Sequence, residues 1–98
     1  MTRDAVIATL RANEAALRLR GVAHVALFGS VARGEAGPDS DIDIMVEIDP
    51  AAGVDLYDYV GIRRFIGELF ADKADVANRA GLKAHVRPSA EREALYAF

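Results

Sequence analysis

The clearest hydrophobic pattern in the chain is a strict alternation from Asp41 to Ile48. Isoleucine or valine occupies every even position, and acids occupy three of the four odd positions. Because successive side chains of a strand point to opposite faces, this pattern predicts a strand with one apolar and one mainly acidic face. The run from His24 to Phe28 is apolar on both faces after its histidine, which predicts a buried central strand.

Helical periodicity predicts three longer helices, at Thr2–Arg20, Asp55–Phe70 and Ala90–Ala97. Thr2 can cap the first helix and Gly21 can end it. The second helix has a core face with the spacing i, i+3, i+4, i+7 and i+8. That face consists of Ile62, Phe65, Ile66, Leu69 and Phe70. Tyr57, Tyr59 and Val60 could form core or a contact patch, and we expect them to extend the core.

Shorter elements lie between these. A short helix is expected from Val31, a turn-rich connection at Glu35–Ser40, a third strand at Lys73–Ala77, and a loop at Asn78–His85, with Pro88-Ser89 opening the last helix. The predicted order is helix, strand, short helix, strand, helix, strand, helix. This order predicts an α/β fold of the mixed, two-layer type, with a small mixed sheet covered by helices in a single domain over residues 1–98.

Composition narrows the class of protein. The chain has 98 residues, a net charge of −3, no cysteine and no basic patch, so we expect no stable binding to nucleic acid. The absence of cysteine excludes disulfides and thiolate metal sites. The first residues lack the apolar core of a signal peptide, and no apolar run is long enough to span a membrane. We therefore expect a soluble, cytoplasmic protein.

The candidate chemistry lies between Gly29 and Asp43. Gly29-Ser30 follows the buried strand, and ten residues later Asp41 and Asp43 open the next strand. A small turn at a strand end lets a phosphate approach the backbone, so Ser30 and the Gly29 backbone would hold the outer phosphates of a nucleoside triphosphate. Two acids at i and i+2 point the same way, roughly 6–7 Å apart, a spacing that suits a pair of divalent ions.

Asp75 is the candidate third acid. It would face the same side as the other two if the third strand lies beside theirs. Three carboxylates next to a phosphate-binding turn favour Mg²⁺ in a two-metal arrangement. The simpler interpretations remain: Asp41 and Asp43 on the solvated face of an amphipathic strand, and Asp75 as an exposed edge acid. Zinc is disfavoured without cysteine, and the Walker A motif is absent.

The wording GSVARGEAGPDSDIDIMVEID resembles the signature of the polymerase-beta-type nucleotidyltransferase superfamily, and in particular its minimal members, the MNT proteins. The resemblance extends through FADKADVA to LKAHVRPSAEREALYAF. It implies the nucleotidyltransferase fold, with Asp41 and Asp43 as metal ligands and Asp75 as a third ligand or a base. It also implies a triphosphate-binding role for Gly29 and Ser30, and a phosphate contact for Arg33. Ala74 departs from the family, where a larger β-branched residue is usual.

MNT proteins are antitoxins paired with HEPN ribonuclease toxins, and studied members transfer AMP from ATP to a toxin tyrosine. The resemblance therefore implies a magnesium-dependent adenylyltransferase with two metal ions, ATP as substrate and a HEPN toxin as partner. Two alternatives stay open. One is a binding module that masks the toxin without turnover, and the other is a small-molecule nucleotidyltransferase. The small chain leaves little room for an acceptor pocket of its own, which favours a protein acceptor.

Overall fold

Four strands form one sheet in the computed structural model, which describes residues 2–37 and 39–98. The strands are Val22–Phe28 (β1), Ile42–Ile48 (β2), Ala74–Asn78 (β3) and Leu95–Tyr96 (β4), and their order in the sheet is β3-β2-β1-β4. β2 pairs antiparallel with β1 and parallel with β3, and β1 pairs antiparallel with β4. The predicted mixed sheet and its buried central strand β1 are confirmed.

Helices surround this sheet. They are Arg3–Ala12 (α1), Glu14–Leu19 (α2), Gly29–Arg33 (α3), Leu56–Leu69 (α4) and Arg87–Glu93 (α5), with short 3-10 turns at Pro50–Ala52 and Arg79–Gly81. None of the helices in the described ranges is long and apolar enough to cross a membrane. Pro38, in the predicted turn-rich connection, lies outside the described residues.

One apolar cluster joins one face of the sheet to helices α1, α2 and α4. The even-numbered residues of β2 that the alternation placed inward, Ile42, Ile44 and Val46, are buried in it. The opposite face carries Asp43 and Glu47. Met45 on that opposite face is also buried, so this side is partly covered. Its cover includes α5, which contacts β1 and α3.

The first predicted helix is in fact two helices. Thr2 caps α1 as predicted, its hydroxyl accepting from the Ala5 amide at 3.2 Å. The helix then breaks at Asn13, whose side chain donates to the Thr9 carbonyl at 2.8 Å. Gly21 follows α2 with φ +97°, the left-handed conformation that favours glycine after a helix. A side-chain hydrogen bond to a nearby carbonyl competes with the helical ladder, which explains why periodicity alone missed the break.

The C-terminal prediction is wrong in part. The last helix covers Arg87–Glu93 rather than Ala90–Ala97, and the chain then turns into β4. Leu95 pairs with Leu27 in this short strand. Pairing to an otherwise open side of β1 therefore overrides the helical periodicity of the last residues.

The predictions for the second long helix are mostly confirmed. Asp55 and Asp58 form a capping box at its start, the Asp58 amide donating to Asp55 at 2.8 Å. Tyr59 packs against the core as expected. Tyr57 and Val60 do not, because they lie on the solvent side of the helix and are exposed.

Candidate active site

The Gly29 turn lies directly against Asp43. Phe28 pairs with Asp43 in the β1–β2 ladder, and α3 begins at the next residue, so the predicted short helix starts at Gly29 rather than at Val31. A Cβ built on Gly29 would overlap the Asp43 carboxylate and lie 3.0 Å from its Cγ. The φ of Gly29 is also +75°. Glycine is therefore required here by both backbone conformation and close approach.

Asp43 and Asp75 are direct neighbours across the parallel β2–β3 pair. They share the sheet face opposite the main core, since Ile44 and Val76 beside them point into that core. Adjacent strands lie about 4.8 Å apart, so the two carboxylates face a common space. The structure thus brings the predicted third acid next to the second. Asp41 precedes β2 and is exposed, with its negative charge felt at Asp43.

Burial raises the pKa of Asp43 above its usual value, and the negative charges of Asp75 and Asp41 raise it further, while Arg33 lowers it. No hydrogen bond contributes to this shift. Each of the six ion pairs among the described residues uses a glutamate, so none involves the three site aspartates. The carboxylates therefore form a concentrated negative charge that Arg33 offsets in part and that no ion pair among the described residues neutralises, which favours a cation.

Ser30 is half-buried in the first turn of α3, beside the Gly29 bend. Arg33 lies at the end of the same short helix. Its guanidinium binds two carboxylates, Glu35 at 2.9 Å and Glu93 of α5 at 3.0 Å. In the free protein Arg33 therefore links α3 to α5, and its predicted phosphate contact would have to compete with these ion pairs. Glu93 could not be identified from local sequence patterns, because it lies sixty residues from Arg33 in the chain.

The donor set fits Mg²⁺ as an open site. Within residues 2–37 and 39–98, no three His, Cys, Asp or Glu side chains are grouped closely enough to hold a metal ion by themselves. Mg²⁺ commonly takes only one or two carboxylates and completes its shell with water and substrate phosphates. Asp43, with Asp41 and Asp75 beside it, supplies hard oxygen ligands of this kind. The Gly29 turn brings backbone close to the Asp43 carboxylate, beside which substrate phosphates would complete the shell.

The chain matches the nucleotidyltransferase domain family over residues 11–97. It belongs to that family. Among its relatives is the protein adenylyltransferase MntA of Thermococcus cleftensis, 30% identical over 97 residues that cover 98% of this chain and 96% of the relative. The match extends over nearly the full length of both chains, so the nucleotidyltransferase domain accounts for almost all of this sequence.

Two solved structures support the same fold. One, assigned to a minimal nucleotidyltransferase, has a TM-score of 0.72 and 33% identity, covering 97% of this chain and 95% of that chain. The other is a toxin–antitoxin structure with AMP-PNP, with a TM-score of 0.67 and 18% identity, covering 100% of this chain and 73% of that chain. At 18% identity the second comparison shows the fold alone. The first supports the minimal type of nucleotidyltransferase.

Proposed function

We propose that this nucleotidyltransferase is an antitoxin that transfers AMP from ATP to a tyrosine hydroxyl of a partner HEPN ribonuclease toxin. The observation that carries the proposal is the register of Asp43 and Asp75 on paired strands directly beside the Gly29 turn. Family membership supports nucleotidyl transfer. The names of its relatives, a protein adenylyltransferase and a toxin–antitoxin assembly, support a protein acceptor.

In the proposed reaction the acceptor hydroxyl oxygen attacks the α-phosphorus of ATP. The new bond joins the acceptor oxygen to phosphorus, and the bond from phosphorus to the α–β bridging oxygen breaks, releasing pyrophosphate with the electron pair. Asp75, exposed next to Asp43, accepts the hydroxyl proton or holds the cation beside that hydroxyl. Ser30 and the backbone at Gly29 orient the β- and γ-phosphates, with Arg33 available to them if it leaves its glutamate partners.

Two Mg²⁺ ions would lower the pKa of the attacking hydroxyl and stabilise the leaving oxygen. Asp41 and Asp43 are the residues that would hold them, together with Asp75. These acids lie at the surface: Asp41 and Asp75 are exposed and Asp43 is half-buried. An open site of this kind suits an acceptor carried on another folded molecule rather than a small substrate enclosed in a pocket.

Asp43→Asn tests the proposal. The purified protein is incubated with α-labelled ATP, Mg²⁺ and the protein encoded next to it, and label on the partner is measured. Loss of the carboxylate removes a metal ligand at the centre of the site, so transfer should fall by about a thousandfold or more. Asp49→Asn is the matched control, because Asp49 is an exposed acid just beyond the other end of β2, and it should transfer normally.

Three results would contradict the proposal. Full activity of the Asp43→Asn variant would show that the site is assigned to the wrong residues. An unlabelled partner that is nevertheless bound and inactive would indicate masking without turnover. Label on aminoglycosides or other small molecules, and none on the partner, would instead indicate a small-molecule nucleotidyltransferase.

A further inference from the structure

The outer edge of β3 is an unpaired strand edge beside the candidate active site. β3 is the terminal strand of the sheet, with β2 as its only neighbour among the described strands. The Ile42 amide donates to the Lys73 carbonyl at 2.9 Å, which fixes the parallel register. In that register, odd-numbered residues bond to β2 and even-numbered residues present their backbone groups outward. The amides and carbonyls of Ala74 and Val76 are therefore open to another strand.

A groove of about 310 Å³ runs along this edge. One wall is the outward side of α4, with the exposed residues Val60, Arg63 and Arg64, and the other wall is β3 itself. Neither arginine belongs to an ion pair within the described part of the chain. Asp72 lies in the same groove. Two arginines against one aspartate leave the groove with a net positive charge, although the whole chain is acidic.

We propose that β3 recognises an extended acidic segment of the partner protein by strand addition, and that this places the acceptor hydroxyl next to Asp75. This inference rests on the proposed function. Backbone hydrogen bonds to Ala74 and Val76 supply affinity that does not depend on sequence. Charge complementarity with Arg63 and Arg64 supplies selectivity for acidic side chains.

The alternation of side chains gives the segment a specific pattern. Asp75 points to the acid face of the sheet, whereas Ala74 and Val76 point to the side on which α4 and the groove lie. Side chains of an added strand alternate in the same way. The residue that carries the acceptor hydroxyl therefore faces Asp75, and its two sequence neighbours face the groove and the arginines. The expected acceptor is a tyrosine flanked on both sides by acidic residues.

A peptide-binding experiment tests strand addition separately from catalysis. The probes are two fluorescent heptapeptides with a central tyrosine. In one peptide the tyrosine is flanked by glutamates and in the other by lysines, and the remaining positions are valines and threonines, which favour an extended conformation. Anisotropy is measured with the full chain and without ATP. The glutamate peptide should bind at least about tenfold more tightly than the lysine peptide.

Matched variants locate the binding site. Arg64→Glu should weaken the glutamate peptide about tenfold, while Lys83→Glu, which changes the net charge equally outside the groove, should leave its affinity within about twofold. Ala74→Pro removes one outward amide at the first residue of the strand, where proline is tolerated, and should also weaken binding. Thermal unfolding of each variant shows whether it is folded.

Equal binding of the two peptides, or an equal effect of Arg64→Glu and Lys83→Glu, would overturn the inference. So would a dimer of this chain that Ala74→Pro dissociates, because β3 would then be an interface between copies. Failure of the proposed function has a different signature. The glutamate peptide would still bind at the β3 edge, but neither it nor the neighbour-encoded protein would receive AMP.

Discussion

At the scale of single residues, the site depends on the contact between Gly29 and Asp43. The half-buried Asp43 carboxylate can lie against the Gly29 turn only because the turn has no side chain there. Gly34 ends the same short helix with nearly the same φ, +74° against +75°, yet a Cβ on Gly34 would meet nothing within 4 Å. The two glycines therefore separate the effect of backbone conformation from that of close packing.

Gly29→Ala should cost considerably more stability than Gly34→Ala. Both substitutions force alanine into the left-handed region, at a cost of about 1–2 kcal/mol. Only Gly29→Ala also displaces the Asp43 carboxylate, so it should lose nucleotide transfer while Gly34→Ala retains it. Urea denaturation gives the free energy of unfolding, and labelled ATP gives transfer. Equal losses of stability in the two variants would contradict the importance of the Asp43 contact.

Local spacing was enough to predict which candidate residues lie close together when they are near in the chain or on two strands joined by one turn. Gly29, Ser30, Asp41 and Asp43 follow from a turn between two strands. The position of Asp75 could be predicted only by assuming which strand lies beside β2. The structure shows that β3 is that strand and that Asp75 pairs with Asp43. The pairing of Arg33 with Glu93 could not be predicted, because it depends on where α5 packs.

At the scale of elements, a charged network joins the C-terminal strand to the middle of the sheet. Glu47 of β2 accepts from the Tyr96 hydroxyl of β4 and from Arg79, both at 2.8 Å. Arg79 also bonds Glu91 of α5 at 3.2 Å. The network compensates for the shortness of β4, which has two residues. Its contacts come from distant parts of the chain, which explains why the sequence predicted a longer helix there instead.

Glu47→Gln should destabilise the protein by about 1 kcal/mol at neutral pH, as expected for a partly exposed charged network. Burial alone would raise the pKa of Glu47, but hydrogen bonds from Tyr96 and Arg79 outweigh it, so its pKa is lowered in the folded state. A carboxylate whose pKa is lowered on folding stabilises the protein at pH values above its pKa in the unfolded chain, about 4.3. That stability is lost as the pH falls through its pKa in the folded protein.

The difference between wild type and Glu47→Gln should therefore shrink as the pH falls below about 4, as measured by urea denaturation across a pH series. Glu68→Gln provides the control, since Glu68 is exposed on α4 and belongs to no ion pair of the described residues. A constant difference between pH 7 and pH 3 would show that Glu47 acts by packing rather than by charge.

At the scale of the whole molecule, the acids of the candidate site differ from most of the glutamates in lacking ion-pair partners among the described residues. Five glutamates are paired with arginines, whereas Asp43 is repelled by Asp41 and Asp75 on an open face. That repulsion is unfavourable in the free protein and is relieved when a cation binds. Under the proposed function, this repulsion would lower the stability of the unliganded fold in exchange for affinity toward metal and nucleotide, as expected where function requires like charges close together.

Asp43→Asn should consequently have opposite effects on stability with and without ligand. The raised pKa of Asp43 means that its ionised form is disfavoured in the folded state, so the penalty exists above the unfolded pKa of about 3.9 and disappears as the pH falls below it. Without ligand at pH 7, the variant should be more stable than wild type by roughly 0.5 kcal/mol, the usual size of a cross-strand charge effect.

With Mg²⁺ and a non-hydrolysable ATP analogue at a hundredfold excess over Kd, wild type should gain about 2.7 kcal/mol, and its Tm should rise by roughly 10 °C or more. The variant should gain little, so the order of the two Tm values reverses on adding ligand. An unchanged order in differential scanning calorimetry would place the metal and the nucleotide away from Asp43.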